Sequence, residues 1–250
     1  MSPEVQPVEA RQEPPPPQPE IHAVQRVRLN LVMRGLAEIG IVTVGILIAF
    51  ALDAWWDDRA MTRQERVHLQ ALASDFQQNV DSLKRLVALE HSVASSSYEL
   101  LLRSQGREAR SSESLSTLVG SVFNSARYEP VMGAYEALVN SAGLTLIQDD
   151  SLRAALAQFA ARVRDQYTEH WSNELYFAFA REFGGRIVLG FNFATEAERE
   201  RDFQQLLQDP RFQSHVAMRY SSERDMEGEY GDLLRQAEAV LAQVHEQMEN

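Results

Sequence analysis

Histidines and other residues that commonly act in catalysis or metal binding form no local cluster in this sequence. The six histidines stand singly, and no two are four residues apart, the spacing that lets one helix offer a metal two nitrogens. They are His22, His68, His91, His170, His215 and His245. The chain has no cysteine, GxSxG elbow, phosphate-binding glycine loop or dinucleotide fingerprint. We therefore expect no catalytic residue, no metal and no cofactor, and we predict that the protein is not an enzyme.

Two adjacent carboxylates, Asp149 and Asp150, are the best candidates in the sequence for a catalytic acid–base pair. Neighbouring side chains on a helix diverge in direction, and a helix N-terminus stabilises both as anions. General acid–base catalysis needs groups within reach of one substrate. We therefore expect this pair to cap the helix that follows, which begins SLRAALAQF.

A dense run of aromatic residues between Phe159 and Phe193 offers a candidate ligand cleft. The residues that would line it are Tyr167, Trp171, Tyr176 and Phe179. Such a stripe also forms the ordinary core of a helical domain, and no charged group converges on this one in sequence. We favour the core interpretation and keep the cleft as the alternative.

An apolar segment from residue 34 to 56 predicts a transmembrane helix. From Leu36 to Trp56 the only charged residues are Glu38 and Asp53, and 21 residues at about 1.5 Å each span roughly 31 Å, the thickness of a hydrocarbon core. The strictly uncharged stretch, 39–52, is also short enough for a buried core helix. The flanks favour the membrane, because Trp55 and Trp56 stand where an interfacial anchor would lie.

One face of this predicted membrane helix collects its polar and small residues within about 60° of one direction. The face consists of Arg34, Glu38, Gly45, Ala49, Asp53 and Trp56. Small residues let another helix approach closely, and charged groups at membrane depth usually face protein, so we expect a membrane-protein partner or a homo-oligomer there. The alternative is that Arg34, Glu38 and Asp53 reach the lipid headgroups from the helix ends.

Two further questions about this segment stay open in sequence. Ala49, Phe50 and Ala51 resemble a cleavage site, so that residues 1–51 could be a signal peptide, although the leader before the apolar stretch is long. Arginines are equally numerous on both sides, so that the positive-inside rule does not orient the helix. We expect a cytoplasmic N-terminus and a periplasmic or extracytoplasmic C-terminal domain at the bacterial inner membrane, because a long domain can be translocated regardless of its charge.

The rest of the chain indicates an all-α, bundle-like domain over residues 57–250, preceded by a disordered, proline-rich tail and basic flank over 1–33. A long helix over 57–105 carries Asn79, Glu90 and Ser97 on its apolar stripe, which favours packing within its own domain over a parallel coiled coil. Further helices are predicted over 113–125, 130–143, 150–171, 195–208 and 210–250. Thr195 and Glu198 form a predicted capping box for the fourth of these, and Gly228 and Gly231 are a weak point in the last. Gly184 and Gly185 are expected to end a helix, with at most a short strand near 186–193. The net charge of −12 excludes nucleic acid as an expected partner.

Two stretches resemble an uncharacterised family of bacterial single-pass membrane proteins, a domain of unknown function. The first is IGIVTVGILIAFALDAWWDDR, similar to that family's GILIAL-x-x-NNWNE membrane exit, with Asp53 and Trp55 where Asn is commoner. The second is YEPVMGAYEALVNSAGLTLIQDDSLRAAL, residues 128–156. The resemblance implies a helical domain on a single membrane anchor and carries over no catalytic residue, substrate or partner.

These features lead to one expected function and one alternative. We expect a membrane-anchored, non-catalytic accessory or scaffold subunit of a membrane assembly, in contact with the lipid bilayer. The alternative is a membrane-tethered sensor that binds a ligand through its aromatic 159–193 segment.

Overall fold

A computed structural model describes residues 21–141, 143–165 and 167–249, and the side chains of all of these except 21–39, 41, 167 and 168. These ranges contain helices and no strand, which confirms the predicted all-α class for them. The helices are α1 (Ile21–Ser104), α2 (Leu115–Val122), α3 (Gly133–Asn140), a short 3₁₀ helix (Gly143–Leu146), α4 (Asp150–Arg164), α5 (Tyr167–Phe193), α6 (Glu196–Leu207) and α7 (Pro210–Glu249). The chain divides into two compact units, one ending at Ala60 and one beginning at Met61.

The first unit consists, in its described part, of the α1 segment up to Ala60. Residues 21–33, which we assigned to the tail and flank, are helical, and residues 1–20 lie outside the described ranges. Every described side chain from Val42 to Ala60 is exposed, including those of large apolar residues. Over the portion of the chain that the structure describes, no helix has both the length and the apolarity needed to cross a membrane. Residues 34–39 and 41 of the predicted membrane segment lie outside the described side chains.

In the second unit, α1 and α7 run antiparallel and present matching heptad stripes. Lys84 pairs with Glu238 at 3.0 Å and His91 with Glu227 at 2.9 Å, so that the partner's number falls as the α1 number rises. Steps of four and three residues, typical of coiled-coil packing, produce both stripes. The positions of these stripes, all of them buried, are 65, 69, 72, 76, 79, 83, 86, 90, 93, 97 and 100 on α1, and 212, 216, 219, 223, 226, 230, 233, 237, 240 and 244 on α7.

Two apolar cores lie along these long helices. One joins the α1 stripe from Leu69 to Leu86 with α3, α4 and the C-terminal half of α7. The other joins Leu100 with α2, α5, α6 and the start of α7. Each fully buried Leu or Phe in these cores contributes about 1.5–3 kcal/mol to folding. The long α1 helix therefore packs within its own domain, as its interrupted stripe predicted.

Polar residues of α1 hold the irregular segment before α4. Asn79 lies on the stripe, where its amide donates to the Val131 carbonyl at 2.8 Å and accepts from the Tyr128 hydroxyl at 3.0 Å. Asp75 accepts from the Ala134 amide at 2.7 Å. That bond satisfies a free N–H in the first turn of α3, whose own preceding residue gives no side-chain cap. The helix consequently begins at Gly133, three residues after the Pro130 predicted to open it.

The chain leaves α1 through a glycine turn that requires its left-handed backbone. Gly106 has φ of 65°, the Arg107 amide donates to the Leu102 carbonyl at 2.9 Å, and the Gly106 amide donates to Arg103 at 3.1 Å. This pair of bonds is the Schellman motif, in which a residue with a Cβ is strained. The predicted end of the long helix near residue 105 is therefore confirmed.

The segment near 186–193 is helical, so the predicted short strand and the predicted end of a helix at Gly184 and Gly185 are wrong. A Cβ on Gly184 would lie 3.2 Å from the Phe123 ring, and one on Gly190 would lie 3.3 Å from the Phe203 ring. Both glycines are buried, and they admit aromatic rings against α5 instead of ending it. Phe179, Phe183 and Ile187 mark the helical period at four-residue steps.

Of the other predicted helix boundaries, some are confirmed and one is wrong. Asp149 caps α4, its carboxylate accepting from the Leu152 amide, and Thr195 with Glu198 forms the predicted capping box of α6. The helix expected to continue to Trp171 ends instead at Arg164, because Asp165 leaves helical backbone with ψ of 84°. Helix α7 begins at Pro210 as predicted and continues without a break through Gly228 and Gly231.

Candidate functional site

The predicted packing face of the membrane segment is uncovered where the structure describes it. Gly45, Ala49, Asp53 and Trp56 are all exposed, and a Cβ on Gly45 would meet nothing within 4 Å. Arg34 and Glu38, the other two residues of this face, lie outside the described side chains. The face therefore stays a prediction, with four of its six members open to another molecule.

The predicted interfacial anchor forms a small aromatic and cationic group. The rings of Trp55 and Trp56 lie 6.4 Å apart, and Trp56 is 69% exposed. One turn further on, the Arg59 guanidinium lies 4.5 Å from the Trp55 ring centroid, within cation–π range. An indole that combines an apolar body with a nearby cation suits a boundary between apolar and aqueous surroundings.

The four aromatic residues of the predicted ligand cleft have different environments. Phe179 is fully buried in the second core, and the Tyr176 and Phe179 rings each lie 6.1 Å from Phe123. Trp171 is 54% exposed, and the Tyr167 side chain lies outside the described ones. The structure thus brings Tyr176 and Phe179 together around a core residue, and the cleft itself stays a prediction.

A group of buried charged and polar residues lies where the two cores meet along α1 and α7. We call it the buried carboxyl cluster, and it consists of Glu90 from α1, Glu169 and Ser172 from α5, and Arg219 and Glu223 from α7. On α7, Arg219 and Glu223 follow Val216 of one core and precede Met226 of the other. Charged side chains are almost never this deeply buried unless they are paired.

Hydrogen bonds tie the members of this cluster to each other and to the backbone. The Arg219 guanidinium pairs with the Glu223 carboxylate, which also accepts from the Ser172 hydroxyl at 3.0 Å. Arg219 donates a second bond to the Asn124 carbonyl at 2.8 Å and lies 5.2 Å from the Tyr176 ring. One nitrogen of Arg219, Nε, has no partner among the described residues. The arginine therefore links α7 to the segment after α2 while compensating one buried carboxylate.

Burial raises the pKa of two carboxyls in the cluster. Burial, a hydrogen bond with Glu223 and the charges of Glu223 and Glu169 raise the pKa of Glu90 to about 9, although Arg219 opposes them. Glu90 is therefore neutral at pH 7, and its carboxyl O–H donates the hydrogen bond to Glu223. Burial also raises the pKa of Glu169, against the lowering effects of Arg127 and the Tyr128 amide. One oxygen of Glu169 lies 3.5 Å from Arg127 Nε and accepts no hydrogen bond from a described residue.

Perturbed carboxyls often mark active sites, but these have little access to solvent. Glu90 is 4% exposed and Glu223 2%, so a substrate could not reach the pair without opening the domain. No group of three or more histidine, aspartate and glutamate residues suited to a metal occurs in the described ranges. The arrangement can hold and exchange a proton and can fix the α1–α7 register, as polar residues in heptad cores do.

Sequence reasoning identified only one member of this cluster, Glu90, and only as an interruption of the stripe. Arg219 and Glu223 stand on the α7 heptad between Val216 and Met226, and that spacing was the available signal. A charged pair four residues apart within an apolar stripe predicts a buried ion pair.

Comparisons with known proteins give a family and no described activity. The family of unknown function DUF6090 matches residues 38–200. The match starts within the predicted membrane segment, after Arg34, and ends in α6, before Arg219 and Glu223 of the buried carboxyl cluster. It extends further along the chain than the second of the two similar stretches, which ends at residue 156.

No curated protein and no solved structure matches the chain. The family match covers more than half of the chain, and it confirms that the chain belongs to a family of unknown function. The single-pass topology and the exit motif stay predictions. The chain belongs to DUF6090, a family of unknown function.

Proposed function

We propose that the protein is a membrane-anchored, non-catalytic accessory or scaffold subunit of a membrane assembly, with the segment 34–56 as its anchor. The observation that carries this proposal is the exposure of large apolar side chains in the first unit. Val42, Leu47 and Ile48 are each 61% exposed, and Phe50 is 68% exposed. Soluble monomers rarely expose a contiguous apolar patch of this kind.

The exposed apolar residues surround the helix instead of forming one stripe. At 100° per residue, Val42, Phe50 and Leu47 cover one half of the circumference, while Val44, Ile48 and Leu52 cover the other. A partner protein with one groove would cover only one of these halves. A helix that is apolar all round suits a lipid environment, with the Trp55 and Trp56 group at its boundary.

In this proposal the second unit is the part of the protein that acts as a scaffold in the membrane assembly. Its buried carboxyl cluster is enclosed, and the Glu223 carboxylate is bonded within the protein, which favours a structural role for it over substrate chemistry. The packing face of Gly45 and Ala49 would contact a membrane-protein partner. We place the N-terminus in the cytoplasm and the second unit outside it, at the bacterial inner membrane.

A fractionation experiment with charged variants tests the anchor. Leu47→Asp with Ile48→Asp should release the protein from membranes into the supernatant of an alkaline wash, because each aspartate at a membrane-helix centre costs about 2.5–3.5 kcal/mol. Val67→Asp is the matched control, since Val67 is also 61% exposed and lies on α1, but in the second unit.

Flotation on a density gradient separates inserted protein from aggregates, because only lipid-bound protein floats. We expect the wild type and the Val67 variant to float after the wash and the double variant to stay at the bottom. Release of the wild type by the wash would contradict the proposed anchor.

A further inference from the structure

A polar groove in the second unit lies between α1, the loop after it and α2. Its volume is ≈ 570 Å³, within the range of small-molecule sites. A neighbouring cavity of ≈ 270 Å³ shares His91, Ser95, Tyr98 and Arg110 with it and extends it towards α7. The groove is lined mainly by residues that carry hydroxyl groups, which are Ser92, Ser95, Ser96, Tyr98, Ser111, Thr117 and Ser121.

The walls of this hydroxyl-lined groove are held in place by a bonded loop. Arg103 donates to the Glu113 carbonyl at 2.8 Å and to the Ser111 carbonyl at 2.7 Å. The Glu99 carboxylate accepts from the Arg103 side chain and from the Arg110 amide, each at 3.0 Å. These contacts position the loop before any ligand arrives, which reduces the entropy cost of binding.

A nearly buried serine lines the groove and has no hydrogen-bond partner among the described residues. Ser96 is 6% exposed, lines the groove and makes no hydrogen bond to any residue in the described ranges. The next serine, Ser97, is fully buried and donates to the Val93 carbonyl at 2.7 Å. A hydroxyl both donates and accepts, so a ligand hydroxyl is a matched partner for Ser96.

The charges in the groove favour a neutral ligand over an anion. Two carboxylates, Glu99 and Glu113, line it together with one guanidinium, Arg110, which lies 5.0 Å from the Tyr98 ring centroid. Although burial opposes the change, hydrogen bonds from Arg110, Arg103 and Ser111 lower the pKa of Glu99 and keep it ionised. An anion would therefore enter beside two negative groups.

We propose that this hydroxyl-lined groove binds a small neutral saccharide, with Ser96 as a hydrogen-bonding residue at its base. The ligand hydroxyls replace water at the serine hydroxyls of the groove. Because the groove is open and polar, binding is weak, in the millimolar range. This inference stands apart from the proposed membrane function, since every lining residue belongs to the second unit.

Saturation-transfer NMR on the full chain tests the site, with glucose, maltose and N-acetylglucosamine as probes. The protein is kept in a polyoxyethylene detergent, because detergents with sugar headgroups would occupy the groove. We expect transfer to at least one sugar, a several-fold weaker affinity after Ser96→Ala, and an unchanged affinity after Ser97→Ala. Ser95→Phe fills the open side of the groove from an exposed position and should abolish binding.

Melting temperatures of the variants establish that each of them folds. Absence of transfer to all three sugars would overturn the proposal, as would transfer that survives Ser95→Phe or is equally affected by the Ser96 and Ser97 substitutions. Binding of inorganic phosphate in place of a sugar, detected by phosphorus NMR, would identify an anion site and would also overturn it.

Discussion

At the scale of single residues, Glu90 is the side chain with the most unusual chemistry. Its pKa of about 9 in the folded chain compares with 4.5 for an ordinary glutamate. The folded state therefore holds one proton that the unfolded state releases between these values. The free energy of unfolding consequently falls as the pH rises from about 4.5 to about 9, and the contribution of Glu90 is complete only below this range.

Glu90→Gln should flatten this part of the pH profile, because glutamine keeps the size and the donor but cannot ionise. At pH 9 we expect the variant to be more stable than the wild type by on the order of 1 kcal/mol, or about 2–4 °C in Tm. Thermal unfolding of the full chain between pH 5 and 9 measures the effect. Glu238→Gln, at an exposed ion pair with Lys84, is the control and should leave the profile unchanged. Parallel profiles for Glu90→Gln and the wild type would contradict the assigned burial of a neutral carboxyl.

The residues of the buried carboxyl cluster also show what sequence patterns miss. The position of Glu90 on an apolar stripe was visible, but the stripe alone does not say which partner compensates a charge. Arg219 lies far away in sequence, and its second bond goes to a backbone carbonyl, that of Asn124. Backbone acceptors leave no mark on residue type, so this contact could not be predicted.

At the scale of elements, local signals predicted helix starts well when the cap lay in the same segment. Asp149 and the Thr195–Glu198 box are bonded within their own helices. The start of α3 was misplaced because its stabilising carboxylate is Asp75 of α1. The continuation of α5 through Gly184 was missed because glycine usually lowers helix propensity, whereas here it admits the Phe123 ring.

The cap of α4 provides a prediction that separates two neighbouring aspartates. Asp149→Ala should lower stability by about 1–2 kcal/mol, because Asp149 accepts from the Leu152 amide at 2.7 Å and from Gln247 at 2.9 Å. Asp150→Ala, the matched control, loses an exposed pair with Arg153 and a favourable charge in the first turn of α4, together about 0.5 kcal/mol. Chemical unfolding measures both, and equal losses would contradict the assignment of Asp149 as the cap.

At the scale of the whole molecule, the all-α class was predictable because the hydrophobic period of the helices extends over many residues. The similar stretches in the sequence indicated a family of unknown function, and the family match over residues 38–200 agrees with that coarser statement. The intramolecular pairing of α1 with α7 follows from two heptad stripes. The stripe of α1 was predicted from the sequence, and that of α7 was not. The exposed face of Gly45 and Ala49 is where the proposed partner would contact the chain.

The most direct test of the proposed accessory role is the size and composition of the particle that contains the protein. Membranes of cells that make it naturally are solubilised in a mild detergent, separated on a sizing column and analysed by mass spectrometry. We predict that the wild type travels with a defined larger complex. Gly45→Leu with Ala49→Leu should shift it to smaller particles, whereas Ala51→Leu with Ala54→Leu, on the opposite side of the helix, should not. Elution of the wild-type chain without any other protein would contradict the proposed role.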